Sequence, residues 1–379
     1  MFSPMLRADQ RRWAEVYLRG LLLADGKKSV RRIADSVRIF RANQSLQQFI
    51  NQSPWEWQPV RALIAKRVEA VRPPAIWLIE RLVIPKRGDR SVGVQRRFVP
   101  EVGRTVNSQL ALSVALVSDS GSVPVNWRIA LANAWSKDAD LRRAAYIPDS
   151  ATGKPEWAEV SDMVDEMATG WRLSPAPIVG DVRHLPDAMR LLSNLARRGM
   201  SFCVQVEGSF PVVGTDYLPL AARHEATALP VGPQALVSVQ QHLGGTGAQL
   251  PRTSQRTLPG LDPRRTRIVS SLARIPLPKS SGNGATQIVR VTGELSGRDG
   301  LSRFWVTNMT HQKLDDVMAL TRLAQHSRRE VETGASRFGL RDFEGRSYPG
   351  LHHHLTMVSA AFGYTAIDHE SALDDVLSS

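Results

Sequence analysis

Several groups of residues in this sequence have side chains capable of chemistry. The stretch WLIERLVIPKRGDRSVGVQRRF, residues 77–98, reads as a strand, a tight basic turn and a second strand, with Glu80 and Arg81 side by side in the middle of the first strand. A core strand favours apolar residues and an unpaired charge there is costly, so either this face looks into a site or the strand is exposed on that side. The run PAPIVGD reads as a short apolar strand ending on an acid, Asp181. His352, His353 and His354 stand in a row like a metal cluster. Successive helical residues lie about 100° apart, so three neighbours cannot all face one ion, and packing or DNA contact is the better reading. Cys203 is the single cysteine, which excludes an internal disulfide; in the apolar run MSFCVQV it reads as a small buried hydrophobe rather than a reactive thiol. No Gly-rich phosphate loop, cysteine pair or nucleophile elbow is visible.

Charge narrows the partners. The chain has 379 residues and a net charge of +13, and only 8 of its 49 basic residues are lysine, leaving 41 arginines. Arginine's planar fork bonds phosphate bidentately, and a large positive surplus favours a polyanion such as double-stranded DNA. No run approaches the roughly 18–20 apolar residues of a membrane span. The start, MFSPMLRADQRRW, lacks the apolar core of a signal peptide, so the expectation is a cytoplasmic, nucleoid-associated protein with no membrane partner. The length implies two or three domains.

The elements that must position these residues follow from periodicity. Residues 6–70 are helical in pattern: LRADQRRWAEVYLRGLLLADG aligns Trp13, Tyr17, Leu18, Leu21 and Leu22, and DGKKSVRRIADSVRIF aligns Val30, Ile33, Ala34 and Val37. QSLQQFINQSPWEWQPVRALIAKRVEAV gives two more helices, the last with Ser53 as cap and Pro54 at its first position. Trp55 and Trp57 read as core and staple residues. AIWLIERLVI, SVGVQRRFV, TVNSQLALSVALVS and PVNWRIAL suggest an antiparallel meander. A helix over KPEWAEVSDMVDEMATGWRL then leads into strand, helix and strand, so the fold class is α/β (α+β) with a mixed sheet. HLGGTGAQLPRTSQRTLPG, residues 242–260, reads as a mobile loop. The expected organisation is a helical DNA-binding domain (1–72), a core (73–206), a β-rich insertion (207–300), two C-terminal core helices (301–366) and an acidic tail (367–379).

Taken together, RADQRRWAEVYLRGLL, QSLQQFINQSPWEW, PKRGDRSVGVQRRF, VNSQLALSVAL, PVNWRIAL, FWVTN and GLRDFEGRSYPGLHHHLTMVSAAFGY give the chain a resemblance to the DDE transposases of bacterial insertion sequences. The resemblance runs over nearly the whole chain and implies an RNase H-like core of the retroviral-integrase type. It also implies three carboxylates holding two divalent metals, Mg²⁺ or Mn²⁺, at a phosphodiester. It suggests a homodimer, although no coiled-coil heptads are visible.

By that resemblance Glu80 falls on the first acid, one methylene longer than the family's Asp, and Asp181 on the second. The third position, in AQHSRREVETGA, is Arg328. A slip of two would bring in Glu330 on the opposite helix face; a slip of four would bring in Glu332 near the original face. An arginine beside two carboxylates supplies positive charge in place of a metal. The expectation is therefore a degenerate triad, Glu80, Asp181 and Arg328, in a protein that keeps DNA binding and has lost cutting, as a regulator or DNA-bound scaffold needing no cofactor. The alternatives are an active transposase using Glu332 or Glu330, with Glu80 and Asp181 as metal ligands, and an interaction module with only non-specific DNA affinity. Expected DNA contacts are Lys27, Lys28, Arg31 and Arg32 in the helical block, and Lys86, Arg87 and Arg90 in the basic turn.

Overall fold

The computed structural model describes residues 1–39, 41–99, 103–119, 121–131, 133–214, 236–245, 252–254, 266–277, 286–295 and 300–377. Four helices come first: α1 (Ala8–Leu23), α2 (Val30–Val37), α3 (Ala42–Asn51) and α4 (Trp57–Val71). Four strands follow: β1 (Ile76–Pro85), β2 (Gln95–Val99), β3 (Arg104–Ser118) and β4 (Gly121–Ile129). The short helices α5 (Asn133–Lys137) and α6 (Ala139–Ala144) lead to α7 (Glu156–Asp165), which ends in a π-turn, Glu166–Gly170. Next come β5 (Ile178–Asp181), α8 (Ala188–Arg197) and β6 (Phe202–Val206). A strand-rich stretch follows, with β7 (Pro211–Val213), β8 (Leu236–Ser238), α9 (Val239–Gly244), β9 (Arg252–Ser254), β10 (Thr266–Pro276), β11 (Thr286–Leu295) and β12 (Leu301–Thr307). Two long helices, α10 (Leu314–Arg337) and α11 (Tyr348–Leu377), come last. The fold is thus mixed α/β, with a helical N-terminal block. Most of the loop expected over 242–260 lies outside the described residues. Helix α11 runs on through residues 367–377, which the sequence reading assigns to a tail.

The contacts divide the chain into two units. The first holds Met1–Pro74, Glu80–Ser174 and Ser327–Ser379; the second holds Ala75–Ile79 and Pro175–His326.

In the first unit α1 buries Ala14, Tyr17, Leu18 and Leu21, while Trp13 and Leu22 lie half-buried at the margin of that face. Helix α2 buries Ile33, Ala34 and Val37 as its spacing predicts. The start of α4 differs from expectation. Glu56, not Ser53, is its N-cap, and Ser53 Oγ instead accepts from Gln10 Nε2 at 3.1 Å. The reason is Trp55. It is buried, stacked on Phe49 and on His353, which holds SPWE out of the helix.

The three histidines are core residues. His353 stacks on Trp55 with ring centroids 4.0 Å apart, and its two ring nitrogens lie 2.9 and 3.0 Å from the carbonyl oxygens of Ile50 and Trp55. His354 packs against Tyr17 and Phe343, and His352 stacks on Trp57. Below them Arg61 is fully buried. It donates to Thr356 Oγ1, the Trp127 carbonyl and His352, and burial pushes its pKa down to about 9.

The strands of this unit are not a simple meander. β2 pairs antiparallel with the start of β3, and β4 pairs antiparallel with the rest of it; β1 lies beside β3, not β2. The basic turn therefore does not close a hairpin between β1 and β2. Lys86 N donates to the Asn107 carbonyl of β3 instead. At fifteen residues, β3 is long enough to pair with β2 and β4 along successive stretches.

In the second unit Trp77–Ile79 of β1 pair parallel with β5, and β5 pairs parallel with β6 through the crossover helix α8. β12, β11, β10, β7 and β8 continue from β6 as antiparallel neighbours, and β9 pairs with β10. Gly180 sits opposite Ile79, where a Cβ would come within 2.8 Å of the Ile79 carbonyl oxygen. A side chain there would force β5 away from β1, so the glycine sets the depth at which Asp181 emerges. Cys203 lies fully buried on β6, where burial pushes its thiol up to about 12.

Candidate functional site

The charged pair in the middle of β1 is satisfied from both sides. Alternation along a strand sends Glu80 and Arg81 to opposite faces. Arg81 Nε donates to Glu156 Oε2 of α7 at 2.8 Å, with Arg97 of β2 at 4.0 Å from the same carboxylate. On the other face Arg328 Nε of α10 donates to Glu80 Oε1 at 2.6 Å. The two side chains keep 31% and 13% of their exposure, so this is a half-buried ion pair. It joins the first and third of the positions that the family resemblance singled out.

The two alternative third acids point elsewhere. Glu330 Oε2 accepts from Ser122 Oγ of β4 at 2.9 Å. Glu332, one turn beyond Arg328, is held by both terminal nitrogens of Arg341 at 2.6 and 2.8 Å. Within the second unit, Asp181 at the end of β5 receives the guanidinium of Arg183. Nε lies 3.0 and 3.1 Å from the two carboxylate oxygens and Nη2 lies 2.7 Å from Oδ2, while the Arg183 backbone N–H adds a bond at 3.0 Å. Arg183 was not anticipated; its signal in the sequence is its place two residues after the acid, where a turn folds it back.

A divalent metal asks for hard oxygen ligands and neutralises charge that carboxylates bring. Here Glu80 and Asp181 each hold a guanidinium in the direct contact a metal would take, and the third acid position is itself a cation. Arg328, with its guanidinium on Glu80, offers no oxygen ligand to a metal. Among the described residues no group of three or more His, Cys, Asp or Glu is placed to hold a metal ion.

The basic residues sort by exposure. Arg31, Arg32, Arg87 and Arg90 are exposed. Lys27 is exposed and paired with Glu344. Lys28 is buried: its ammonium bonds the Ala24 carbonyl and its backbone N–H donates to Asp342 Oδ2 at 2.7 Å. Lys86 is half-buried, with Nζ donating to the Phe343 carbonyl at 2.6 Å. Burial lowers the pKa of both of these lysines. Lys28 thus ties α2's approach to the C-terminal segment and presents no charge to solvent. Lys86 also lines an open groove of about 520 Å³, together with Arg96 and Arg104.

The model of the DDE superfamily endonucleases matches residues 1–239, and the chain belongs to that family. Among solved structures it is similar to a piggyBac transposase in a cryo-EM synaptic complex with hairpin DNA. The TM-score is 0.43 at 10% identity, over 97% of this chain and 67% of that one. No curated protein matches the chain. Among the described residues no helix is long and apolar enough to cross a membrane.

Proposed function

We propose that this member of the DDE endonuclease family binds double-stranded DNA without cutting it, serving as a sequence-specific regulator or DNA-bound scaffold. The observation that carries this reading is the ion pair between Arg328 and Glu80. Two-metal phosphodiester cleavage needs carboxylates free to hold cations that activate the attacking oxygen and stabilise the leaving one. A guanidinium bonded to the first acid, on the residue that stands at the third, supplies neither a ligand nor a Lewis acid. The net charge of +13 supports retained affinity for a polyanion. Glu330 and Glu332 offer no ready replacement, since their carboxylates are engaged by Ser122 and Arg341.

The test has two arms. Purified protein is incubated with plasmid and with linear duplex in Mg²⁺ and Mn²⁺, and no nicking is expected; metal-dependent cleavage by the unmodified chain overturns the reading. In parallel, the double variant Glu80→Asp with Arg328→Glu restores an acid at both positions, and Mn²⁺-dependent nicking by it supports the reading. Capture of fragmented host DNA at physiological salt then separates roles. Enrichment at a few promoters fits a regulator, and enrichment at inverted repeats flanking the gene fits a protein still serving transposition.

A further inference from the structure

We infer that α3 is the base-reading element of this protein, lying in the major groove of duplex DNA with the amides of Asn43, Gln44, Gln47 and Gln48 against adenine-containing base pairs. The inference rests on the DNA-binding reading above and assigns it a surface. The helix has two sharply different faces. Ala42, Leu46, Phe49 and Ile50 are buried, with Phe49 against Tyr17 and Trp55. Asn43, Gln44, Gln47 and Gln48 are all exposed and cover an arc of about 140° at 100° per residue. A helix face that only meets water is ordinarily charged. This one carries four side-chain amides and no ionised group.

An amide both donates and accepts, which matches the N6–H donor and N7 acceptor that adenine shows in the major groove. An α-helix is about 10–12 Å across with its side chains, a fit to a groove about 12 Å wide. Its surroundings are complementary to phosphate. Between Ser29 and Gln52 the sequence has Arg31, Arg32, Arg38 and Arg41 against one acid, Asp35. All four arginines are exposed. Arg38 and Arg41, which bracket the turn between α2 and α3, have left-handed backbones with φ of 53° and 57°. Arg38 is the C-cap of α2 and Arg41 the N-cap of α3, so both stand at helix ends beside the amide face. No side chain caps the start of α3, leaving its amide end suited to a phosphate.

The experiment selects binding sites from a randomised duplex library with the full chain and with the double variant Gln44→Ala, Gln47→Ala. Exposed amide-to-alanine changes raise helix propensity, and matching thermal unfolding confirms the fold. The unmodified protein should select a motif containing A·T pairs. The variant should lose about tenfold or more of its preference for that motif at adjacent positions, while its affinity for random duplex stays within about twofold. Arg31→Ala with Arg32→Ala should instead weaken binding to all sequences alike and flatten its salt dependence. An unchanged motif in the amide variant overturns the assignment of α3 and leaves DNA binding intact. A protein that binds duplex without preference does the same. Failure to bind any duplex overturns the DNA-binding reading itself and the assignment with it.

Discussion

Arg328 and Glu80 are separated by 248 residues of sequence and meet at 2.6 Å. Both side chains are withdrawn from much of the solvent. Replacing Arg328 by alanine leaves a half-buried carboxylate beside an empty space. The expected loss is about 1–3 kcal/mol, above that of an exposed pair and below that of a deeply buried one. Glu80→Gln with Arg328→Met should lose less than the two single changes summed. Urea unfolding of the four proteins gives the coupling, and strict additivity would show that the pair contributes nothing.

Acid should destabilise the first unit through His354. Burial depresses this imidazole to about 4, below an ordinary value near 6.5. The unfolded chain therefore takes up a proton at a pH where the folded one does not. The contribution is complete above about pH 6.5 and is lost as pH falls towards 4. His354→Gln should flatten the dependence of the urea midpoint between pH 7 and 5. An unaltered slope would assign acid sensitivity to other groups.

Gly180→Ala should destabilise the second unit by about 1–3 kcal/mol. The new methyl group would stand 2.8 Å from the Ile79 carbonyl oxygen and 3.0 Å from its Cβ, and neither neighbour is the end of a flexible chain. Thermal unfolding checks this, and a variant as stable as the parent would mean that β5 shifts without cost.

Cys203 should resist a thiol reagent in the folded protein. Its side chain is fully buried and burial raises its pKa to about 12, so thiolate and access are both lacking. Labelling is expected only in denaturant; rapid reaction in buffer would place the thiol at the surface.

Much of this structure is legible in the sequence where a single periodicity governs an element. Ile33, Ala34 and Val37 announce α2, and IVGD followed by the α8 helix announces strand, turn and helix. Other features depend on partners distant in sequence. The spacing of Ser53 and Pro54 satisfies every local rule for a helix start, yet the stacking of Trp55 on His353, nearly three hundred residues away, displaces that start to Trp57. The same holds at the candidate site. Glu80 with Arg81 signals that charges must be satisfied, but nothing local names Glu156 and Arg328 as the partners. Lys28 reads as one more cation in a basic run, and only its three-dimensional neighbours show that it is sealed inside.

The hydrogen bond between the Tyr17 hydroxyl and His354 Nδ1, at 3.0 Å, has a consequence for biosynthesis. The N-terminal helices leave the ribosome first, and domains built from contiguous chain can fold while translation continues. These helices cannot complete their core that way, because His353, His354 and the apolar residues of α11 that fill it are made long after α1–α4. Until then Tyr17 and Trp55 lack the ring contacts that His354 and His353 give them. The helical block thus gains its finished form only after α11 has been made.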